Sequence, residues 1–194
     1  MEAAVPSFSI DEILDLLATG SERPLRFGTA VTQLDHALQT AVLLRAECPE
    51  DHELAVAGLV HDLGHLLPGV GDDVHATVAA ARVREALGAR VADLVELHVD
   101  AKRYLVATEP DYGNVLAQDS VASLREQGGA MSEGEAALFA THPLAADAMR
   151  LRRADDNGKA DGLAVPGLAD WVPVIRRLSE AQREAGEEAA AATA

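Results

Sequence analysis

The stretch Val60-His61-Asp62-Leu63-Gly64-His65 places two histidines and an aspartate at the end of a strongly apolar segment. Apolar side chains recur before it at helical spacing, so we predict one helix from residue 50 to about residue 63. His61 and His65 would then lie one turn apart on one face, with Asp62 beside them. Polar groups in such a place are costly to bury unless they bind something. The pattern therefore favours a metal site over a set of core histidines.

Three more histidines fall in neighbouring predicted helices. His36 lies one helix earlier, His75 opens the following helix, and His98 lies in the middle of the next one. Imidazole suits iron, zinc and manganese, and a carboxylate can bridge two ions. Side chains from successive helices can converge in this way only inside a bundle. Each histidine alone is also explained as a helix-terminal or core residue, whereas together they indicate a metal centre.

The whole chain predicts an all-α fold. Helical periodicity recurs along nearly all of it, and strand alternation is nowhere convincing. Ser9-Ile10-Asp11-Glu12 has the pattern of a capping box, and the helix from residue 75 to residue 87 should end at Gly88. Because no linker divides the chain, we predict a single-domain helical bundle over residues 1–183. Residues 184–194 are acidic and alanine-rich, and we predict a flexible tail there.

Composition restricts the partners of the protein. The 194 residues carry a formal net charge of -16, which would repel the phosphates of a nucleic acid. A small anionic substrate needs only a few local cations and is not excluded. No apolar run is long enough to cross a membrane, the first residues lack a secretory pattern, and Cys48 is the only cysteine. We therefore expect a cytoplasmic protein that binds neither nucleic acid nor membrane; the sequence makes no prediction of its oligomeric state.

The chain has only two lysines, beside fourteen arginines. Lys102 comes four residues after His98, so it would share a helix face with that histidine and could bind an anion beside a metal. A solvated lysine is an equally good interpretation. Lys159 is interpreted as a residue without a specific role. Arg152 and Asp155 are three apart, so they either point into one pocket or form a surface ion pair.

These motifs resemble those of HD-domain proteins. More narrowly, the chain resembles the mixed-valent diiron oxygenases of that superfamily, the PhnZ type, which cleave the carbon–phosphorus bond of 1-hydroxyphosphonates. The similarity spans roughly residues 33 to 166, and its most specific part is the segment His98-Val99-Asp100-Ala101-Lys102-Arg103-Tyr104-Leu105. Its other carriers are the residues around His36, the stretch 60–65, Gln127-Gly128-Gly129 and Asp155-Asp156-Asn157-Gly158-Lys159.

The resemblance implies two iron ions in the mixed-valent Fe(II)/Fe(III) state, O2 as co-substrate and an HD-type helical bundle. It implies that a small organophosphonate is converted to phosphate and a carboxylic acid. It also assigns residues by position: His36, His61, Asp62 and Asp155 to one iron; Asp62, His75 and His98 to the other; His65, Lys102, Ser120 and Arg152 to the phosphonate; and Asp62, His65 and Lys102 to catalysis.

Two positions depart from the family pattern. Members that act on an amino-bearing hydroxyphosphonate have a tyrosine and a glutamate before the first histidine, where this chain has Arg26 and Thr29. Threonine has no negative charge for an ammonium group, so we expect a substrate without a primary amine, such as hydroxymethylphosphonate, which would give formate. Arg26 would then line the substrate site and could pair with a second anionic group.

Two other interpretations remain open at this point. An HD phosphohydrolase that activates water with divalent metals against a phosphate ester explains His36, His61, Asp62 and Asp155, but it gives no reason for His75 and His98. A non-catalytic HD-like sensor predicts that some ligands are missing, and none of the six is. Oxygen dependence and tightly bound iron would separate the oxygenase from the hydrolase.

Overall fold

The computed structural model describes residues 6–25 and 30–193, and its regular elements within these ranges are all helices. The prediction of an all-α fold is thereby confirmed. The single pairing of extended chain in the described ranges is an isolated bridge between Pro24 and Thr32. Ten α-helices follow in order: α1 Ile10–Thr19, α2 Gln33–Glu47, α3 His52–Val60, α4 His75–Leu87, α5 Ala89–Thr108, α6 Tyr112–Val115, α7 Gln118–Glu126, α8 Glu133–Ala140, α9 Ala145–Asn157 and α10 Leu168–Thr193. Short 3-10 helices occupy Gly20–Glu22 and Leu63–Leu66.

Side-chain caps begin several of these helices. Ser9 and Glu12 form the predicted reciprocal capping box at α1, and Ser132 begins α8 in the same way. The Asp51 carboxylate accepts a hydrogen bond from the Leu54 backbone at the start of α3. Gly88 ends α4 with φ of +91°, a conformation that side chains rarely adopt, so the predicted stop is confirmed.

Helix α5 lies at the centre of the bundle and packs against α3, α4 and α9. Its core-facing residues Val91, Leu94 and Val95 are fully buried, and burying such side chains stabilises a fold by about 1.5–3 kcal/mol each. Gly58 lets α3 approach α2 closely, because an added Cβ would lie 2.5 Å from Leu44 Cδ1. Helix α10 closes the core with Trp171, which has no exposed surface.

Two boundaries differ from those predicted. Helix α3 ends at Val60, and His61 and Asp62 form a turn before the 3-10 helix Leu63–Leu66. The last helix extends to Thr193, and its residues after Arg183 are exposed as far as residue 192. The flexibility of this tail and the domain limit at residue 183 stay predictions. No helix in the described ranges is long and apolar enough to span a bilayer.

Candidate metal centre and anion pocket

Five elements deliver the predicted metal ligands to one place. His36 lies in α2, and the His61-Asp62 pair follows the last residue of α3. His75 is the first residue of α4, and His98 lies in the middle of α5. Asp155 lies in the last turn of α9. The six side chains therefore meet because α5 packs on α3, α4 and α9 while α2 packs on α3 and α9.

The ligand atoms form two groups that share Asp62. One group is His36, His61 and Asp62, and the other is Asp62, His75 and His98; within each, the atoms that could bind a metal lie within 4.8 Å of one another. The Oδ1 atom of Asp62 lies 3.5 Å from His61 Nε2 and 3.4 Å from His75 Nε2. Its Oδ2 atom lies 3.5 Å from His36 Nε2. One carboxylate thus faces both groups, as a bridge between two ions requires.

All four of these histidines are oriented by the backbone. Nδ1 of each ring lies within hydrogen-bond distance of a carbonyl oxygen, which can only accept, so each Nδ1 carries a proton and each Nε2 is the ring atom available to a metal. His61 bonds to Gly58 at 2.8 Å, His75 to Asp72 at 2.7 Å and His98 to Val95 at 2.6 Å. His36 bonds instead across the fold, to the Gly158 carbonyl at 2.9 Å.

The donor set fits a bound cation. Nε2 of His36 and Nε2 of His61 are buried without a hydrogen-bond partner. An orphaned buried acceptor is costly unless a ligand satisfies it. Neutral imidazoles around carboxylates are the donors that iron, zinc and manganese accept.

The pKa values of the ionisable groups at the centre are also shifted in a way that favours a bound cation. Burial lowers the pKa of His98 well below its usual value, and the charges of His61 and His75 lower it further. Burial alone would raise the pKa of Asp62, but the neighbouring His61 and His65 hold it well below its usual value. Burial would likewise lower the pKa of His36, yet the carboxylates of Asp155 and Asp62, which face its Nε2 at 3.3 and 3.5 Å, raise it to about 9. A positive charge is therefore favoured between these two carboxylates.

Asp155 joins this centre to a cationic side of the pocket. Its Oδ1 atom lies 3.3 Å from His36 Nε2 and accepts a hydrogen bond from Lys159 Nζ at 2.9 Å. Its Oδ2 atom accepts from Arg152 Nη1. Arg152 also donates to Ser120 Oγ at 3.0 Å and to the carboxylate of Asp156. The alternative of a surface ion pair is wrong for Arg152 and Asp155, since both are buried.

The predicted phosphonate ligands line one cavity of about 260 Å³ together with five of the six candidate metal ligands, all except His61. Lys102 is buried and donates to Ser123 Oγ at 2.8 Å, so it is not the solvated lysine of the alternative interpretation. Burial, followed by the charge of Arg152, lowers the pKa of Lys102 to about 8. Ser120 is buried beside Arg152. The cavity therefore places candidate metal ligands beside candidate anion-binding groups.

The comparisons with known proteins agree with this geometry. The model of the HD-domain family matches residues 34–155, well over half of the chain. A hydroxymethylphosphonate dioxygenase of Gimesia maris is 38% identical over 154 residues, which are 75% of this chain and 76% of that protein. The glycine-betaine-forming 1-hydroxy-2-(trimethylamino)ethylphosphonate dioxygenase of Leisingera caerulea is 32% identical over 159 residues, 78% of this chain and 81% of the relative.

The chain belongs to the HD-domain oxygenases of the PhnZ type. As an HD-domain oxygenase with two such histidine–aspartate groups, it binds metal and uses O2.

The oxygenase differs from the sequence-based prediction at His65. This residue does not share a helix face with His61, because α3 ends at Val60 and His65 lies on the 3-10 helix Leu63–Leu66. Its ring stacks on His75 at a centroid distance of 3.9 Å, and its Nε2 lies 3.8 Å from Asp62 Oδ1. His65 therefore borders the candidate centre, but from the cavity side. Arg26 and Thr29 lie outside the described residues.

Ser123, Gln127 and Lys159 are among the polar residues of the oxygenase that line the cavity although sequence reasoning gave them no role. Ser123 comes three residues after Ser120, a spacing that already places both on one face of α7. Gln127 donates to the Asp72 carbonyl at 2.9 Å, the same oxygen that orients His75. Lys159 comes four residues after Asp155, and this spacing was the available signal for their ion pair.

Proposed function

We propose that this oxygenase is a diiron enzyme that uses O2 to cleave the carbon–phosphorus bond of a 1-hydroxyphosphonate, releasing phosphate and a carboxylic acid. The observation that carries the proposal is the position of Asp62, which faces two separate pairs of histidines in one buried centre. A carboxylate bridge with two imidazoles on each side is a site for two ions rather than one.

In this proposal His36, His61, Asp62 and Asp155 hold one iron, and Asp62, His75 and His98 hold the other. When bound, the two irons supply the activation of O2 and the one-electron chemistry that no side chain in the cavity offers. The protein supplies four imidazoles that would bind through Nε2, since their Nδ1 atoms are committed to backbone carbonyls. It also supplies carboxylates whose pKa values lie well below the usual range, so they are ionised at neutral pH.

The phosphonate group would bind beside the metal ligands. Lys102 and Arg152 provide two positive charges, and Ser120 provides a hydroxyl beside the Arg152 guanidinium. A guanidinium and an ammonium in a largely buried site bind a dianion strongly, because the low dielectric strengthens each contact. These contacts would fix carbon 1 of the substrate toward the metal ligands, which converts binding energy into orientation.

His65 is suited to take the proton of the substrate hydroxyl. Burial is the largest of the causes that lower its pKa, so the ring is neutral at pH 7 and can accept a proton. Its two nitrogens face Asp62 Oδ1 at 3.8 Å and Asp72 Oδ1 at 3.6 Å. An imidazolium formed there would be stabilised by both carboxylates.

The small substrate hydroxymethylphosphonate is the first candidate. The relative of Gimesia maris, 38% identical to this chain, is named for that compound. The relative of Leisingera caerulea is named for a trimethylammonium compound. Proteins commonly hold quaternary ammonium groups in aromatic cages, and no Phe, Tyr or Trp is among the described residues that line the cavity. The lack of an aromatic cage among these lining residues favours a substrate without a cationic group. Position 29 points the same way, because it holds a threonine where the family has a glutamate.

The test is a substrate panel on iron-loaded protein, with phosphate release measured in the presence and absence of O2. We expect phosphate and formate from hydroxymethylphosphonate, only with O2, and less product from the trimethylammonium compound. A phosphate monoester in the same panel tests the phosphohydrolase alternative. Release of phosphate from the ester without O2, by protein that holds zinc or magnesium but no iron, would contradict the proposal.

A further inference from the structure

Lys159 lies in the cavity and contacts a candidate metal ligand. Its side chain is 17% exposed, and Nζ donates to Asp155 Oδ1 at 2.9 Å. This is the same oxygen that faces His36 Nε2 at 3.3 Å and His61 Nε2 at 3.9 Å. The ammonium of Lys159 therefore donates to the same carboxylate oxygen that faces the candidate metal position.

The backbone around Lys159 is fixed to α2. The side-chain amide of Gln39 donates to the Ala160 carbonyl and accepts from the Ala160 backbone N–H, each at 2.9 Å. Gln39 is 2% exposed, so both bonds are protected from water. Gly158, on the other side of Lys159, packs so tightly that a Cβ there would lie 2.5 Å from Thr40 Oγ1. These contacts hold residues 158–160 in one position.

The same short segment also orients a second ligand. The Gly158 carbonyl accepts the hydrogen bond of His36 Nδ1 at 2.9 Å. Gly158 and Lys159 therefore support two ligands of the same metal position, His36 through the backbone and Asp155 through the ammonium. Partners that hydrogen-bond a metal ligand typically change metal affinity by about 10–100-fold when they are removed.

The two carboxylates of the centre have different surroundings. Asp155 is flanked by two basic side chains, Arg152 on Oδ2 and Lys159 on Oδ1. Among the described residues, the ion-pair contacts of Asp62 are all with histidine rings. The negative charge of Asp155 is therefore partly neutralised by Arg152 and Lys159, whereas no lysine or arginine pairs with Asp62 among the described residues.

This difference bears on the charge of the bound ion. The position of His36 and His61 has two carboxylates, and the position of His75 and His98 has one. By ligand charge alone, the first position would favour the more oxidised ion. A cation on a ligand carboxylate reduces electron donation to the metal and opposes a further positive charge there.

We propose that Lys159 is a positioning and charge-balancing residue of the centre, which fixes Asp155 and favours the ferrous over the ferric state of the iron held by His36, His61, Asp62 and Asp155. The inference rests on the proposed diiron function. It adds that Lys159 helps to determine which of the two irons is ferrous. Gln39 supports this role through Ala160.

The experiment compares wild-type protein with Lys159→Met, Lys159→Arg and Arg150→Met. Methionine keeps the length of the side chain and removes its charge, whereas arginine keeps the charge. Arg150→Met is the matched control, because it removes a cation from the same helix as Asp155 but one that pairs with Asp147 and Glu47 at the surface. Iron content, Zn(II) affinity and a redox titration followed by electron paramagnetic resonance are measured on each.

We expect all four proteins to hold two irons. In Lys159→Met the ferric-to-ferrous equilibrium of one iron should shift roughly tenfold toward ferric, which is about 59 mV for a one-electron couple. Lys159→Arg should restore the wild-type potential, and Arg150→Met should not change it. Should Lys159→Met fail to fold, Lys159→Gln replaces it.

An unchanged potential together with lower affinity for Zn(II) and iron would overturn the inference, because Lys159 would then have a structural role only, and the diiron function would stand. Wild-type protein that holds no iron would overturn the proposed function and this inference with it.

Discussion

Asp62 is the single residue on which both candidate metal positions depend, since its two oxygens face His36 on one side and His75 on the other. We expect Asp62→Ala to lower the affinity for both ions by at least about 100-fold, more than the loss of an outer partner costs. Metal analysis after gel filtration measures this. Asp93→Ala is the control, because Asp93 forms an exposed ion pair with Arg84 away from the cavity. A variant of Asp62 that keeps two irons would contradict the bridging role.

Lys102 should give the activity an alkaline limit. Burial lowers the pKa of Lys102 to about 8. The charge of Arg152 lowers this pKa as well, whereas the carboxylates of Asp155 and Asp62 raise it. Bound metal cations would lower this pKa further. The ammonium is present below that pH and is lost above it, so kcat/KM for the phosphonate should fall about tenfold per pH unit on the alkaline side.

The pH profile of Lys102→Arg tests this assignment. Arginine stays charged throughout the range, so the alkaline limb should disappear or move upward. Lys102→Met should have a low kcat/KM without that limb. An identical limb in wild type and in Lys102→Arg would assign the titration to another group.

The sequence predicted which side chains form the candidate centre, but it did not predict which residues hydrogen-bond to one another around it. His61, Asp62, His75 and His98 stood out because polar side chains in apolar helical segments are costly to bury unless they bind a ligand. The hydrogen bonds between Gln39 and Ala160 join residues 121 positions apart. A contact of that kind depends on the packing of α2 against the segment after α9, and no local pattern encodes it.

At the scale of elements, the start of α4 is placed by a close approach to the 3-10 helix before it. A Cβ on Gly64 would lie 2.7 Å from the carbonyl carbon and 2.8 Å from the Cα of His75. Both atoms belong to the backbone, so Gly64→Ala must push α4 away. We expect a loss of about 1–3 kcal/mol in unfolding free energy and a selective loss of the ion at the Asp62, His75 and His98 position.

Chemical denaturation and metal analysis measure these two effects. The matched control is Gly134→Ala in α8, where an added Cβ meets nothing within 4 Å. Alanine is favoured over glycine in a helix, so that variant should be about 0.5–1 kcal/mol more stable. Full occupancy of both metal positions in Gly64→Ala would show that the close approach does not place His75.

Helix ends with capping chemistry could be predicted, whereas an end without it could not. Ser9 with Glu12 and the glycine at position 88 were predicted correctly, because a cap and a positive φ leave a local signal. The end of α3 at Val60 left none, since apolar periodicity continues through Leu63. The tight turn there exists because Asp62 must face histidines from three other helices.

At the scale of the whole molecule, we expect the fold to form without the metals. The fully buried side chains of Leu44, Leu94 and Trp171 belong to a continuous apolar core. We therefore expect chelator-treated protein to keep its helical circular dichroism signal and to lose only the stability that ligand binding adds, about 2.7 kcal/mol per site at 100 times Kd. Loss of the helical signal on chelation would contradict this.

The backbone bonds of the four histidines have a consequence for the cell. Three of the accepting carbonyls belong to the residue three positions earlier, so these rings are aimed by the turn that carries them. In a newly folded chain, the Nδ1 atoms of these rings are therefore already bonded to backbone carbonyls before any ion binds. If the proposed diiron site is correct, apoprotein made during iron scarcity would regain activity when iron is supplied, without new synthesis.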